Sequence, residues 1–420
     1  MKKIIFALTI IFLASGCSQN NSAFDLPENQ GVSSDRLDRI DSYLNKMIKE
    51  NQIPGAVALI RRNNKIIYNK AFGYSDVENK IKYSTDDIFR IASMTKAVTS
   101  LAVLMLWEEG EFNLDDPIEK YIPEFKNLKI LTYFNETDST YLSKPAKNKI
   151  SIRHLLTHTS GIGYGLQDKD PRFSRLYQKH GIVDLFTTDS INIESNIQKL
   201  AQLPLHHEPG ERFTYGESLD VLGYFIEVIS QKSLDVFFKE RIFEPLEMKD
   251  TYFYLPTTHQ DRLVPVQTQK DGFWTKYQAD FYDTNYPVKG AKMFLSGGAG
   301  LSSTTADYSN FLQMFLNKGS FNDKQILGKK TVELVYINQN SHIPDSSFGL
   351  AFGLVSEKDQ AHGGKGSAGT LYWAGYFNTS YFADPVEELI GVIYLQTYDY
   401  TSYLIPNEFK ALVFHSLIKS

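Results

Sequence analysis

The sequence predicts an α/β fold in which strands from both chain ends form one antiparallel sheet flanked by helices, with a second, mostly helical lobe. Three observations carry this reading. Strand patterns come early, on either side of an Asn63-Asn64 turn signal. Apolar residues at helical spacing fill the middle, beginning with the run Ala97 to Gly110. Strand patterns then return between Phe348 and Gln396. The simplest architecture joins the two sets of strands in one sheet with helices on both faces, and a cleft lies where the lobes meet. The expected boundaries are 31–115 with 291–420 for the α/β lobe and 116–290 for the helical lobe.

Composition bounds the function. The chain has 420 residues, 42% of them hydrophobic, enough for a large core in one large or two smaller domains. A net charge of -5 without a long like-charge block argues against nucleic acid as the main partner. Cys17 is the single cysteine, so no intramolecular disulfide can form. None of the nine histidines stands in a zinc-type motif, and His206-His207 reads as surface loop. A metal is therefore not implied.

The elements follow in order. Lys2 and Lys3 precede an apolar run from Ile4 to Ala14 and then Ser15-Gly16-Cys17, too short a stretch for a comfortable membrane span. Residues 1–16 resemble a bacterial lipoprotein signal peptide. That resemblance implies cleavage before Cys17, acylation of its thiol and amino end, and attachment to a membrane of the cell envelope. An ordinary secretory signal with a spare cysteine is the alternative. Residues 17–30 then form a polar tether. Ser34 is expected to cap a helix through about Lys49, with Leu37, Ile40, Leu44 and Ile48 on one stripe. Ala56 to Arg61 and Lys65 to Phe72 read as a hairpin, and a polar connection leads to Phe89-Arg90 and the central helix.

Beyond Gly110 the chain is loop-rich and partly helical. His158 and Ser160 invite a Ser/His reading, but a helix ending in a turn, with side chains bonding backbone, explains them more simply. Gly161, Gly163 and Gly165 read as a turn, and residues 166–200 as a surface excursion near the site. Helices are expected at Ser218 to Ile229, Leu234 to Phe243 and Thr305 to Leu316, the last after a tight turn at Ser296 to Leu301. Trp274, Tyr277, Phe281 and Tyr282 either line a cleft or pack. Late strands are expected at Phe348 to Val355, Thr370 to Tyr376, Thr379 to Ala383 and Leu389 to Gln396, before a helix from Asn407 to Leu417.

The chemistry centres on Ser93-Met94-Thr95-Lys96. One helical turn puts the hydroxyl and the amine on one face. Serine becomes a good nucleophile only when a base takes its proton, and a lysine can do so only in its neutral form. The pattern recurs at Ser416-Leu417-Ile418-Lys419 without supporting company. Tyr215 sits at a loop–helix junction, where a phenol can point into a cleft and exchange protons. Trp373-Ala374-Gly375 lies on a late strand whose small residues let a substrate approach the backbone. The N–H groups of Ser93 and Tyr376 are the expected oxyanion donors.

Together Ser93-Met94-Thr95-Lys96, Tyr215-Gly216-Glu217 and Trp373-Ala374-Gly375 resemble the three motifs of the serine β-lactamase and penicillin-recognising hydrolase superfamily, in its class C-like branch. Leu155 to Gly161 and Pro245 to Thr251 are similar to structural stretches of that branch, and the likeness spans Ser34 to about Gln396. It implies a β-lactamase/transpeptidase-like fold, an acyl-enzyme on Ser93 with Lys96 and Tyr215 sharing the proton transfers, no cofactor, and a small-molecule ester or amide substrate.

Two departures bear on the substrate. Trp373 stands where Lys or His usually anchors a substrate carboxylate, and Glu217 stands where Asn is usual. Trp373, Ala374, Gly375 and Glu217 are expected to contact the substrate. A charged Glu217 ~6 Å from a substrate carboxylate would repel it by roughly 3 kcal/mol at an effective dielectric near 20. His362-Gly363-Gly364 is a rival third motif, read instead as a hairpin turn before the Trp373 strand. The combination resembles the family VIII carboxylesterases, and ester hydrolysis at the cell envelope is the expected function. The alternatives are a β-lactamase or a D-alanyl-D-alanine carboxypeptidase/D-amino-acid amidase, and a non-catalytic binding protein on the same scaffold.

Overall fold

The computed structural model describes residues 24–278, 283–363, 366–398 and 404–418. The expected leader, Cys17, Phe281, Tyr282, Gly364 and Lys419 lie outside them.

Helix α1 spans Ser34–Lys49. Its cap is Ser33, one residue earlier than expected. The Ser33 side chain accepts the Arg36 N–H, while Ser34 is held by the Glu28 carboxylate. Strands β1 (Gly55–Arg62) and β2 (Lys65–Asp76) are joined through Asn63 and Asn64 at φ 48° and 63°. Both are left-handed, as a two-residue hairpin turn requires and as asparagine tolerates. Strand β3 (Ile81–Lys82) pairs with the extended end of β2. Helix α2 (Thr95–Glu108) follows, and every side chain from Thr95 to Leu106 is buried. A helix covered on all sides needs no polar stripe.

The middle carries α3 (Ile152–Leu156) and α4 (Ser218–Ser230), with further helices at Pro171–Lys179, Ile193–Leu200 and Leu234–Phe238. The last widens into a π-helical turn over Lys239–Phe243. Phe173, Leu176, Tyr177 and Ile197 are buried, so much of 166–200 belongs to the core and is not the surface excursion expected. Trp274 and Tyr277 are also buried; Tyr277 packs tilted against Tyr398 with ring centroids 4.4 Å apart.

Helix α5 (Thr305–Leu316) leads to the late strands β4 (Gly353–Leu354), β5 (Leu371–Gly375), β6 (Thr379–Asp384) and β7 (Leu389–Tyr394), and α6 (Ile405–His415) closes the chain. β4 is much shorter than the expected Phe348 to Val355. Ala351 is left-handed at φ 65°, and the chain folds back so that Gly349 N–H bonds the Phe352 carbonyl.

The sheet order is β4-β5-β6-β7-β1-β2-β3, with antiparallel pairing throughout. The β7–β1 ladder, from Val57 opposite Tyr394 to Arg62 opposite Leu389, joins the two chain ends as the sequence predicts. One face carries α1 and α6, whose Phe409 packs in one apolar cluster with Ile60, Phe382 and Ile393 of the sheet. On the other, an unbroken apolar core runs from Val57, Val392 and Tyr394 through Val98 and Leu101 of α2 to Phe125, Leu155 and Leu222.

Candidate active site

The chain enters the site through a strained turn. Ala92, fully buried, has φ 43°, a left-handed conformation that costs a residue bearing Cβ about 1–3 kcal/mol. Its surroundings over-determine it. Ile91 N–H bonds Leu301 O at 3.0 Å, Met94 N–H returns to Ile91 O at 3.1 Å, and the buried Tyr308 hydroxyl donates to Met94 O at 2.8 Å. The 3-10 turn Ala92–Met94 then runs directly into α2, placing Ser93 and Lys96 one turn apart.

Lys96 is buried, and its Nζ has three acceptors: Ser93 Oγ at 3.2 Å, Tyr164 Oη at 2.8 Å and Gly298 O at 2.7 Å. They match the three N–H bonds that an ammonium offers. Nζ also lies 4.8 Å from the centroid of the Tyr215 ring and 5.5 Å from that of Tyr164. The Tyr215 hydroxyl accepts from Trp373 Nε1 at 3.4 Å. Tyr215 packs against Trp373, Tyr164 and His158 at centroid separations of 5.5, 5.4 and 4.7 Å.

Gly375 explains how β5 reaches this cluster. A Cβ there would lie 2.3 Å from Ile91 O, so only glycine lets the strand end abut the Ser93 turn. Tyr376 begins the turn from β5 to β6, closed by Asn378 N–H to Gly375 O at 3.1 Å. Ser93, Tyr215, Trp373, Ala374, Gly375 and Tyr376 line one cavity of about 450 Å³. Gln167 and a few polar or aromatic residues of β5, β6 and α6 complete the wall. No Lys, Arg or His is among the described residues that line it.

Glu217 is placed differently from expectation. It is fully buried, does not line the cavity, and lies with its carboxyl against Asp184. Burial, then Asp184, holds that carboxyl well above the usual carboxylate range, which favours its neutral form. With the side chain outside the cavity wall as well, the repulsion expected between Glu217 and a substrate carboxylate is weakened. His362 also departs from expectation. It caps the short helix Glu357–Ala361, with Nδ1 2.6 Å from Lys358 O, so the connection before the Trp373 strand is a long one containing a helix and not a tight hairpin turn.

His158 and Ser160 separate. Ser160 Oγ contacts Ser218 Oγ at 2.9 Å and accepts the Ile162 N–H, so its role is structural. The His158 ring does not bond backbone as expected. Neither nitrogen finds a hydrogen-bond partner among the described residues, and the ring packs between Phe213, Tyr215 and Phe348. Burial, reinforced by Lys96, drives it well below its usual range and keeps it neutral. Ser416 is buried and donates to Val413 O at 2.6 Å, closing α6.

Tyr164 and the Gly298 carbonyl were not anticipated. Tyr164 stands inside the glycine turn after Ser160, where a lone aromatic between two glycines was the available signal. Burial, then Tyr215, Asp220, Glu217 and Asp184, pushes its phenol well above the usual range, so it stays protonated. Gly298 belongs to the tight turn read at Ser296 to Leu301. Its N–H donates to Asp220 at 3.2 Å, and Ser296 Oγ donates to the same carboxyl at 2.5 Å. A Cβ at Gly298 would lie 2.2 Å from Asp220 Oδ2, which explains the glycine.

Comparison with known proteins bears on this arrangement. The Beta-lactamase family model matches residues 40–413. Protein Rv1367c of Mycobacterium tuberculosis is 32% identical over 381 residues, covering 86% of this chain and 90% of its own. Esterase EstB of Burkholderia gladioli is 28% identical over 359 residues, covering 82% and 86%. Among solved structures, EstCE1, a hydrolase with promiscuous acyltransferase activity, superposes with a TM-score of 0.76 at 25% identity, covering 90% of this chain and 98% of its own.

Proposed function

The chain belongs to the beta-lactamase family and is a serine hydrolase, and from that premise we propose that it cleaves neutral carboxylic esters through an acyl-enzyme on Ser93. The observation that carries the substrate class is the cavity wall. Where an anionic substrate would need a cation, the described lining residues offer the Trp373 indole and no Lys, Arg or His. A carboxylate moved there from water loses hydration without gaining a counter-ion. A neutral ester loses little. The likeness to Esterase EstB supports the same choice.

In this mechanism Ser93 Oγ attacks the ester carbonyl, and its proton passes into the Lys96–Tyr215 pair. The N–H groups of Ser93 and Tyr376 receive the developing oxyanion. The leaving alkoxide takes a proton from the same pair and departs as the alcohol. Water, deprotonated by that pair, then attacks the acyl-enzyme and releases the acid, restoring Ser93. Tyr164, as a neutral phenol 2.8 Å from Nζ, holds Lys96 in place.

The test is turnover of p-nitrophenyl butyrate. Ser93→Ala is expected to lower kcat by at least about a thousandfold. Activity surviving that change, or an unlabelled Ser93 after fluorophosphonate treatment, would overturn the assignment and favour a binding protein. Rapid acylation of Ser93 by nitrocefin at micromolar concentration would overturn the ester preference.

We further propose attachment to the bacterial envelope through acylated Cys17. The basic and apolar leader and the polar run Ser18 to Ser22 support it. Among the described residues no helix is long and apolar enough to cross a membrane. Labelled palmitate is expected to enter the wild type and not Cys17→Ala.

A further inference from the structure

Behind Lys96 lies a pair of acids, Glu217 fully buried and Asp184 half-buried, that ester cleavage itself does not use. Glu217 is wholly shielded from solvent, and neither carboxyl oxygen meets an N–H or hydroxyl donor among the described residues. Its hydrogen-bonding neighbour is the carboxyl of Asp184. Asp184 in turn accepts the N–H of Gly165 at 3.2 Å and that of Leu166 at 2.5 Å, the two residues that follow Tyr164. The loop is pressed onto this acid: a Cβ on Gly165 would lie 2.7 Å from Asp184 Oδ2. Glu217 also ties to the loop through its own backbone, its N–H bonding Gly163 O at 3.2 Å.

Two carboxyls in contact, one of them wholly shielded from water, do not both ionise; one keeps a proton and donates it to the other. Asp184 already accepts two backbone N–H bonds, whereas the wholly buried Glu217 meets no donor among the described residues. The proton therefore resides on Glu217, the member shut off from water.

We infer that Glu217 is a positioning residue, a neutral acid that donates to Asp184 and through it clamps the 164–166 loop, so that the Tyr164 hydroxyl stays on Lys96. Its neutrality has a second effect. Asp220 already places one carboxyl beside Lys96. A further charge at Glu217 would favour the cationic form of Lys96 and oppose its taking the Ser93 proton. The groups facing Glu217 are Asp184, Asp220, Lys96, Tyr164 and Tyr177. Of these, Lys96 is the one whose proton the reaction moves. The inference rests on the reading of Ser93 and Lys96 as the reacting pair.

The full chain carrying Glu217→Gln, Glu217→Leu or Asp184→Asn tests it, with p-nitrophenyl butyrate kinetics across pH and infrared spectra as readouts. Gln is neutral and donates as the acid does, so its kcat is expected within about threefold of wild type, whereas Leu lowers kcat ~30-fold with KM nearly unchanged. Asp184→Asn turns the pair round: the amide donates, Glu217 ionises beside Lys96, and the low-pH limb of kcat moves up by about one unit. A structural role alone would leave that limb in place. In the difference spectrum between wild type and Glu217→Gln at pH 7, the wild type is expected to show one additional carbonyl band of a buried protonated carboxylic acid, beyond any contributed by Asp307. Wild-type kcat and pH profile in Glu217→Leu, an equal loss in Gln and Leu, or no such band would overturn the inference. If Leu fails to fold, Gln, Asp184→Asn and the band decide. Activity in Ser93→Ala would instead overturn the reacting pair, and the infrared band would still report on the acids.

Discussion

Tyr164 stands closer to Lys96 than Ser93 does: its hydroxyl is 2.8 Å from Nζ, against 3.2 Å for Ser93 Oγ. The amine is thus also held by a residue 68 positions further along the chain. Tyr164→Phe leaves the ring and its packing on Tyr215 and deletes only the acceptor. Its expected effect is a ~10–100-fold lower kcat with KM within a few fold, since misplacement of the base costs the chemical step and not binding. Steady-state kinetics on p-nitrophenyl butyrate measure it.

No Lys, Arg or His stands among the described residues of the cavity wall, and this predicts a gain of function. Trp373→Lys places an ammonium where that described wall is uncharged. At ~6 Å and an effective dielectric near 20 it would attract a carboxylate by roughly 3 kcal/mol, about a hundredfold. Nitrocefin acylation is expected to rise by ten- to a hundredfold. Butyrate turnover falls as the Tyr215 contact is lost. Both rates can be followed on one preparation.

Gly375→Ala tests the join between sheet and nucleophile. The added methyl would sit 2.3 Å from Ile91 O, so either the strand end or the Ser93 turn must move. The expected result is a loss of ~1–3 kcal/mol in chemical denaturation together with near-complete loss of esterase activity. Alanine with unchanged kcat would show that the turn does not depend on this contact.

A stability signature should come from Asp307. Burial pushes its carboxyl up to about 7, although it accepts bonds from Asp250 N–H and the Thr251 hydroxyl. In the unfolded chain an aspartate titrates near 3.9. Between those values the native state binds the extra proton, so this group's contribution is full below about pH 4 and is lost as pH rises through about 7. Asp307→Asn, which is neutral at every pH, should flatten the fall in melting temperature between pH 4 and 8. An unchanged slope would show that Asp307 is ionised in the native state.

How much of this was legible in the sequence depends on how far each contact reaches. The Ser93–Lys96 pairing is one helical turn, and local periodicity reveals it. The strand sets at the two ends follow from alternation and turn residues, and antiparallel closure is the simplest way to cover them. Tyr164 left only a faint trace, because its partner lies on another element and its neighbours are ordinary turn glycines. Glu217 misled because its position in the motif suggested a wall of the cleft, while Asp184, which fixes its side chain, is 33 residues away and carries no pattern of its own. The short β4 was hidden for a similar reason, since nothing in the residue type of Ala351 announces a left-handed backbone.

Because the apolar core passes without a gap from Val392 and Tyr394 through α2 to Leu222, the two halves of the chain cannot rock apart about a hinge without exposing it to water. Any change in the width of the entrance must therefore come from the loops and side chains that rim it, and not from the angle between the halves.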